Sequence, residues 1–198
     1  MAGNMDEVLA LGRLSLENPR KAARVLVAMD VPVAARTAGL LLVAVASTVL
    51  SHIGFLIQPP TDDPIGQFIA ASPFRTAAFQ WLLLSVSVLL IYRVGRMRGG
   101  SGSMNDALLV VVWLQVLMLG LQLLQVLLLL ISPVLAAVVG LAGIVLFLWL
   151  LTNFVAELHG FQSLLAVFGA IVLTGFAVAF LFVFILAMFF GPEALAHV

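Results

Sequence analysis

The chain has 198 residues, 64% of them hydrophobic and 9% charged, with nine basic and nine acidic side chains and no cysteine. A soluble domain carries about 45–50% apolar and about 25% charged residues, and a fold this small could not hide so much apolar area. With a mean hydropathy of +1.24, the composition excludes a water-soluble globule and a disordered chain; zero net charge offers no field for nucleic acid, and without cysteine there is no disulfide, thiolate chemistry or Cys-based metal site.

The first 34 residues are the most polar part. They do not read as a signal peptide, because the charged stretch is too long and no small-residue cleavage site follows a short apolar core. Met5 to Leu16 reads as a weakly polarised amphipathic helix. From Pro19 to Met29 the pattern sharpens: Ala22, Val25, Leu26 and Met29 fall at helical spacing, with Arg20, Lys21 and Arg24 on the opposite arc. A short basic-faced helix beside a membrane lies in the interface against anionic headgroups. That reading is preferred here to a docking surface for a cytosolic partner.

Five apolar stretches follow, each near the roughly 20 residues that cross a bilayer as a helix. They run about 37–57, 73–92, 106–131, 133–155 and 164–190. The breaks share one grammar: Asn18-Pro19, Asp63-Pro64, Ser72-Pro73 and Ser132-Pro133 each place a capping side chain before a proline at the first helical position. Ser132-Pro133 leaves almost no loop and predicts a tight hairpin of spans three and four. Ser103 with Asp106 resembles a capping box, and Gly191-Pro192 ends the last helix. There is no internal repeat, and the odd span count argues against an inverted duplication.

Arg13, Arg20, Lys21, Arg24, Arg36, Arg93, Arg96 and Arg98 fall on one side of this topology and only Arg75 on the other. Cytoplasmic loops keep Lys and Arg, so the N-terminus is expected inside and the tail 191–198 outside.

Polar residues within the spans are the candidate functional groups. His52 belongs to the outer leaflet, whereas Glu157 has reached the cytoplasmic interface, so the two cannot form a direct proton relay. Gln115, Gln122 and Gln125 fit within an arc of about 80° on span three. With Gln80 and His52 they form a possible intramembrane cluster, either interhelical glue or an outward-opening cavity. Trp149, Asn153 and Glu157 make a stripe toward the cytoplasm. Glu157 and the loop-like His159 read as a solvated boundary. Ala136 with Gly140, and Gly175 with Ala179, are small-residue pairs that permit close helix approach, and the phenylalanines of span five suggest a lipid-facing helix. Arg20, Lys21, Arg24, Arg93, Arg96 and Arg98 are the candidate contacts for anionic lipid.

Gly99 to Ser103 follows three arginines and precedes a helix start, as a phosphate cradle would, but lacks the P-loop lysine and strand; it reads as a flexible loop. There is no G-x-S-x-G, no H-E-x-x-H and no pair of deep carboxylates. No catalytic site, metal or cofactor is expected.

The basic arm, the five spans, Asn105-Asp106-Ala107 leading to Trp113-Leu114-Gln115, and the run Leu151-Thr152-Asn153-Phe154-Val155-Ala156-Glu157-Leu158-His159-Gly160-Phe161 together resemble the Yip domain family over about residues 35–190. These integral membrane proteins are named for interaction with Ypt/Rab GTPases. Eukaryotic members carry a long cytosolic N-terminal region with a Tyr-rich motif. Here that region has about 34 residues and no such motif, and the chain's single tyrosine is Tyr92, which counts against GTPase binding and resembles the bacterial inner-membrane members. The expectation is an all-α membrane protein: an amphipathic arm over 1–34, five transmembrane helices over 35–190 and a short external tail. It would be non-catalytic and serve membrane organisation or partner recruitment, with the bilayer, anionic lipids, and a membrane-protein partner or second copy as its contacts. The rival is a small-solute or lipid transporter using the outer polar face.

Overall fold

The computed structural model describes residues 2–60, 67–68 and 70–190, with side chains described for 5–184 and 188 within those limits. Asp63-Pro64, Gly191-Pro192 and the tail 191–198 lie outside the described residues. The chain forms α1 (Ala2–Glu17), α2 (Pro19–Ala28), α3 (Val33–Ile57), α4 (Pro73–Met97), α5 (Met104–Leu129), α6 (Pro133–His159) and α7 (Leu164–Phe190). Helices α3 to α7 are each long and apolar enough to cross a membrane, and the protein is an integral membrane protein with five such helices among the described residues.

The predicted caps are mostly made. Asn18 accepts from the Lys21 amide at 3.1 Å, and Ser132 accepts from the Leu135 amide at 3.4 Å at the start of α6. Ser103 accepts the Asp106 amide at 3.1 Å while its hydroxyl donates back to the Asp106 carboxylate. Ser72 is the exception. Its side chain makes no cap bond, and the Thr76 hydroxyl donates to its carbonyl instead. Helices α4 and α6 outrun the apolar stretches that announced them, because the backbone ladder stops at a left-handed glycine rather than at the last apolar residue. Gly99 (φ +86°) follows α4 and Gly160 (φ +73°) follows α6.

Helix α5 is central and packs against α2, α3, α4 and α6, while α7 packs on α6. One core cluster joins Leu11 of α1 and Ala22, Ala23 and Leu26 of α2 to Val110, Trp113 and Leu114 of α5 and Leu150 and Phe154 of α6. A second joins Leu40, Val43 and Ala44 of α3, Leu84 and Val88 of α4, Val111 of α5 and Leu158 of α6. Both lie toward the end of the bundle that carries the N-terminal helices, the arm side. Glycines set the α5–α6 spacing: a Cβ on Gly143 would come within 2.4 Å of Leu121, and one on Gly140 within 2.7 Å of Gln125.

Candidate functional site

The arm does not lie free on a surface. Part of the apolar face of α2 packs on the bundle, with Ala22 and Ala23 fully buried and Leu26 nearly so, while Val25 and Met29 stay exposed. Its basic face reaches the end of α6: Arg24 lies 2.7 Å from Glu157, Arg20 Nε stands 3.6 Å from the same carboxylate, and Arg20 Nη2 donates to the Phe161 carbonyl. The expected solvated boundary at Glu157 is thus an ion pair with its side chain 19% exposed. Ala22, Ala23 and Leu26 pack with Leu150 and Phe154, and the carboxylate compensates the arginines brought with them. Helix α1 is anchored deeper. Fully buried Ser15 accepts from the Trp113 indole at 3.0 Å and donates to the Leu11 carbonyl at 2.8 Å. Trp113 lies about 10 Å along α5 from Asp106.

A second link ties α3 to α5. Arg36, 9% exposed, donates to the Val31 and Asn105 carbonyls at 2.8 Å and to the Asp106 carboxylate at 3.1 Å. Asp106 therefore serves both as a cap partner and as counter-ion to a buried arginine.

His159 is likewise no boundary loop. It is the last residue of α6, 3% exposed, and the Gly99–Ser103 segment is wrapped around it. The Gly102 amide donates to Nδ1 at 3.3 Å and Nε2 donates to the Ile91 carbonyl at 3.1 Å, which fixes the Nε2–H tautomer. The Ser101 amide donates to the His159 carbonyl at 3.3 Å, and Phe161 stacks on the ring with centroids 5.5 Å apart. A Cβ on Gly95, Gly100 or Gly102 would stand within 2.1, 2.5 and 2.8 Å of the His159 or Leu158 side chain. The loop is glycine-rich because a ring must fit inside it, not because it must flex. A histidine followed by glycine at one helix end and four glycines at another was the readable signal.

The glutamines of α5 diverge. Gln122 receives the Ser47 hydroxyl at 2.9 Å and donates to the Ser47 carbonyl at 3.1 Å and the Ser51 hydroxyl at 3.0 Å. Gln80 donates to the same Ser47 hydroxyl at 3.4 Å, and His52 bonds Thr76 at 3.1 Å. Gln125 faces Gly140 of α6, and Gln115 lines a cavity between α4, α6 and α7. An 80° arc on a central helix spans several neighbours, so a shared arc did not produce one cluster. The stripe on α6 also separates. The Asn153 amide donates to its own helix at Trp149, at 2.8 Å, Trp149 is exposed, and Glu157 belongs to the arm. Of the remaining cations, Lys21, Arg93 and Arg98 are exposed, and Arg96 donates to the Gly100 carbonyl. Arg75, on the far side, sits 4.2 Å over the Phe68 ring.

No curated protein and no solved structure matches the chain. The sequence does match the family profile of the Yip1 domain over residues 14–190, from within α1 to the last residue of α7. That match begins inside the arm and takes in the ion-paired Arg20, Arg24 and Glu157 and the enclosed His159, so the chain belongs to the Yip1 domain family.

Proposed function

We propose that the protein is a non-catalytic membrane scaffold whose arm side recruits a protein partner. The observation that carries this reading is the attachment of α1 and α2 to the bundle through Ser15–Trp113 and Arg20/Arg24–Glu157. That attachment makes the arm a fixed platform with Lys21 turned outward. The polar groups most suited to chemistry are engaged in holding the fold: both nitrogens of His159 are bonded and Glu157 is ion-paired. The arm, 1–34, and the five-span unit, 35–190, act as one body. Eight of the nine basic residues lie on the arm side, which supports a cytoplasmic arm side and an external C-terminus in a bacterial inner membrane. Exposed Lys21, Arg93 and Arg98 then face anionic lipid headgroups and an acidic partner surface.

The test is purification from native membranes in mild detergent, comparing wild type with the Lys21→Glu/Arg93→Glu double variant. One stoichiometric protein partner with the wild type, lost in the variant, is expected, with no solute flux in proteoliposomes. Flux, or a wild type that carries no partner, overturns the scaffold reading.

A further inference from the structure

The α4 face that meets α7 is not filled. A cavity of about 1030 Å³ runs between α4, α6 and α7, with Val111, Leu114 and Gln115 of α5 also on its lining. Its α4 wall extends from Leu83 to Arg98, about 22 Å along a helix, and its α7 wall from Ala166 to Ala179, about 20 Å. That length matches one leaflet, about 15 Å of hydrocarbon plus a headgroup layer. The α7 wall alternates small residues (Ala166, Ala170, Gly175 and Ala179) with larger apolar ones such as Ile171 and Phe176. A Cβ added at Gly175 would meet nothing within 4 Å, so this small-residue pair faces open space rather than a tightly packed helix.

The polarity of the cavity is graded. Its depth is mostly apolar, with Leu83, Leu84 and Phe176 among its walls and only the uncharged Ser87, Gln115 and Thr174 as polar side chains, whereas its arm-side mouth holds Arg98, Gln162 and Ser163. Among the described residues, Arg98 is the only charged one on the lining, and no carboxylate lines the cavity. The mouth also contains the N-terminus of α7, where Ser163 accepts the Ala166 amide at 3.3 Å, so the positive end of a 27-residue helix adds to the arginine. An apolar slot one leaflet deep, opening at a guanidinium and a helix N-terminus, complements an amphiphile with two features: a hydrocarbon chain and an anionic phosphate at its head.

We propose that this cavity holds one anionic glycerophospholipid of the arm-side leaflet, with an acyl chain between α4 and α7 and its phosphate at Arg98. The site is independent of the polar residues of the outer half and shares only Arg98 with the basic face proposed above. Annular lipids exchange over the whole exposed surface, whereas this slot is lined by four helices and takes one molecule.

The full chain in nanodiscs of phosphatidylcholine with a minor share of phosphatidylglycerol is released into the gas phase and the retained lipids are counted by native mass spectrometry. One retained phosphatidylglycerol per chain is expected. Arg98→Gln should lower the preference for phosphatidylglycerol over phosphatidylcholine about fivefold, the ratio equivalent to about 1 kcal/mol for one cation at a lipid phosphate. Gly175→Leu and Ala170→Phe fill the slot at two heights, and each should abolish retention of either lipid with helix content and elution volume unchanged. Leu165→Phe, on a strongly exposed position outside the lining, should retain the lipid. Inorganic phosphate in millimolar excess should not displace it. Retention that survives both filling variants marks annular lipid and overturns the proposal. So does a lipid-free wild type, a phosphate-displaced lipid, or a second protein helix seated in place of lipid.

Discussion

Arg24 Nε donates to Glu157 at 2.8 Å across 133 residues of sequence, closing the N-terminal arm onto the end of α6. The two partners are unequally placed: the Arg24 side chain is 73% exposed and that of Glu157 is 19% exposed. Solvent screens the Arg24 contact, and its loss in Arg24→Gln should cost about 0.5 kcal/mol. Glu157→Gln removes more. It also withdraws the compensating charge from Arg20, whose Nε is buried with no hydrogen-bond partner, and should cost about 1–3 kcal/mol. The second readout is limited trypsin digestion in detergent, where Glu157→Gln should expose the Lys21 site well before the bundle unfolds. Unchanged cleavage would show that apolar burial of Ala22, Ala23 and Leu26 holds the arm unaided.

The enclosure of His159 makes a steric prediction. A methyl group on Gly95 would lie 2.1 Å from Nε2, and the ring cannot retreat while Nδ1 and Nε2 are both bonded. Gly95→Ala should therefore destabilise by about 1–3 kcal/mol, the usual range for overpacking, measured by thermal unfolding in detergent. Pairing it with His159→Ala vacates the colliding ring. The double variant should then be more stable than the sum of the two single losses predicts, and strict additivity would show that the two positions do not touch.

How far this was legible depends on whether the determinant was local. Five spans, the Ser132-Pro133 hairpin and the caps at Asn18 and Ser103 follow from adjacent residues, and local grammar carried them. The packing of the arm on the bundle was not legible, because an amphipathic pattern marks an apolar face without saying what covers it. Leu26 packs as well against lipid as against Phe154, and only the distant Glu157 decides between them. Arg36 was counted for topology and not paired, since Asp106 lies 70 residues away. The cavity had no sequence signature beyond small residues on α7. Such residues mark close helix packing and open space equally well.

Gln122 tests what polar groups do in the outer half. Its amide accepts one hydrogen bond and donates two, all to Ser47 and Ser51 of α3. An average interhelical bond in lipid is worth about 0.6 kcal/mol and the strongest about 1.7. Gln122→Leu should then cost about 1–2 kcal/mol, more than Gln115→Leu at the cavity wall. A cysteine at position 122, unique in this cysteine-free chain, should resist membrane-impermeant maleimide from either side. Rapid labelling would reveal a water-filled path between α3 and α5 and revive the transporter reading.

The topology prediction bears on every other one, since it decides which compartment sees the arm. Exposed Arg93 and Arg98 at the end of α4, together with Lys21 of α2, make the arm side basic, whereas Arg75 lies at the opposite end over Phe68. Translocating such a cluster across an energised membrane is unfavourable, so the arm side should remain cytoplasmic. With five crossings, a phosphatase reporter that folds only outside should be inactive when fused after Ser101 and active when fused after Val198. A reporter that fluoresces only inside should give the reverse. Moving the balance should move the topology: replacing Arg93, Arg96 and Arg98 with Gln while adding two lysines beside Arg75 should produce a mixed population of the two orientations. Activity after Ser101 in the unaltered chain would invert the assignment, and equal activity at both sites would break the five-span count.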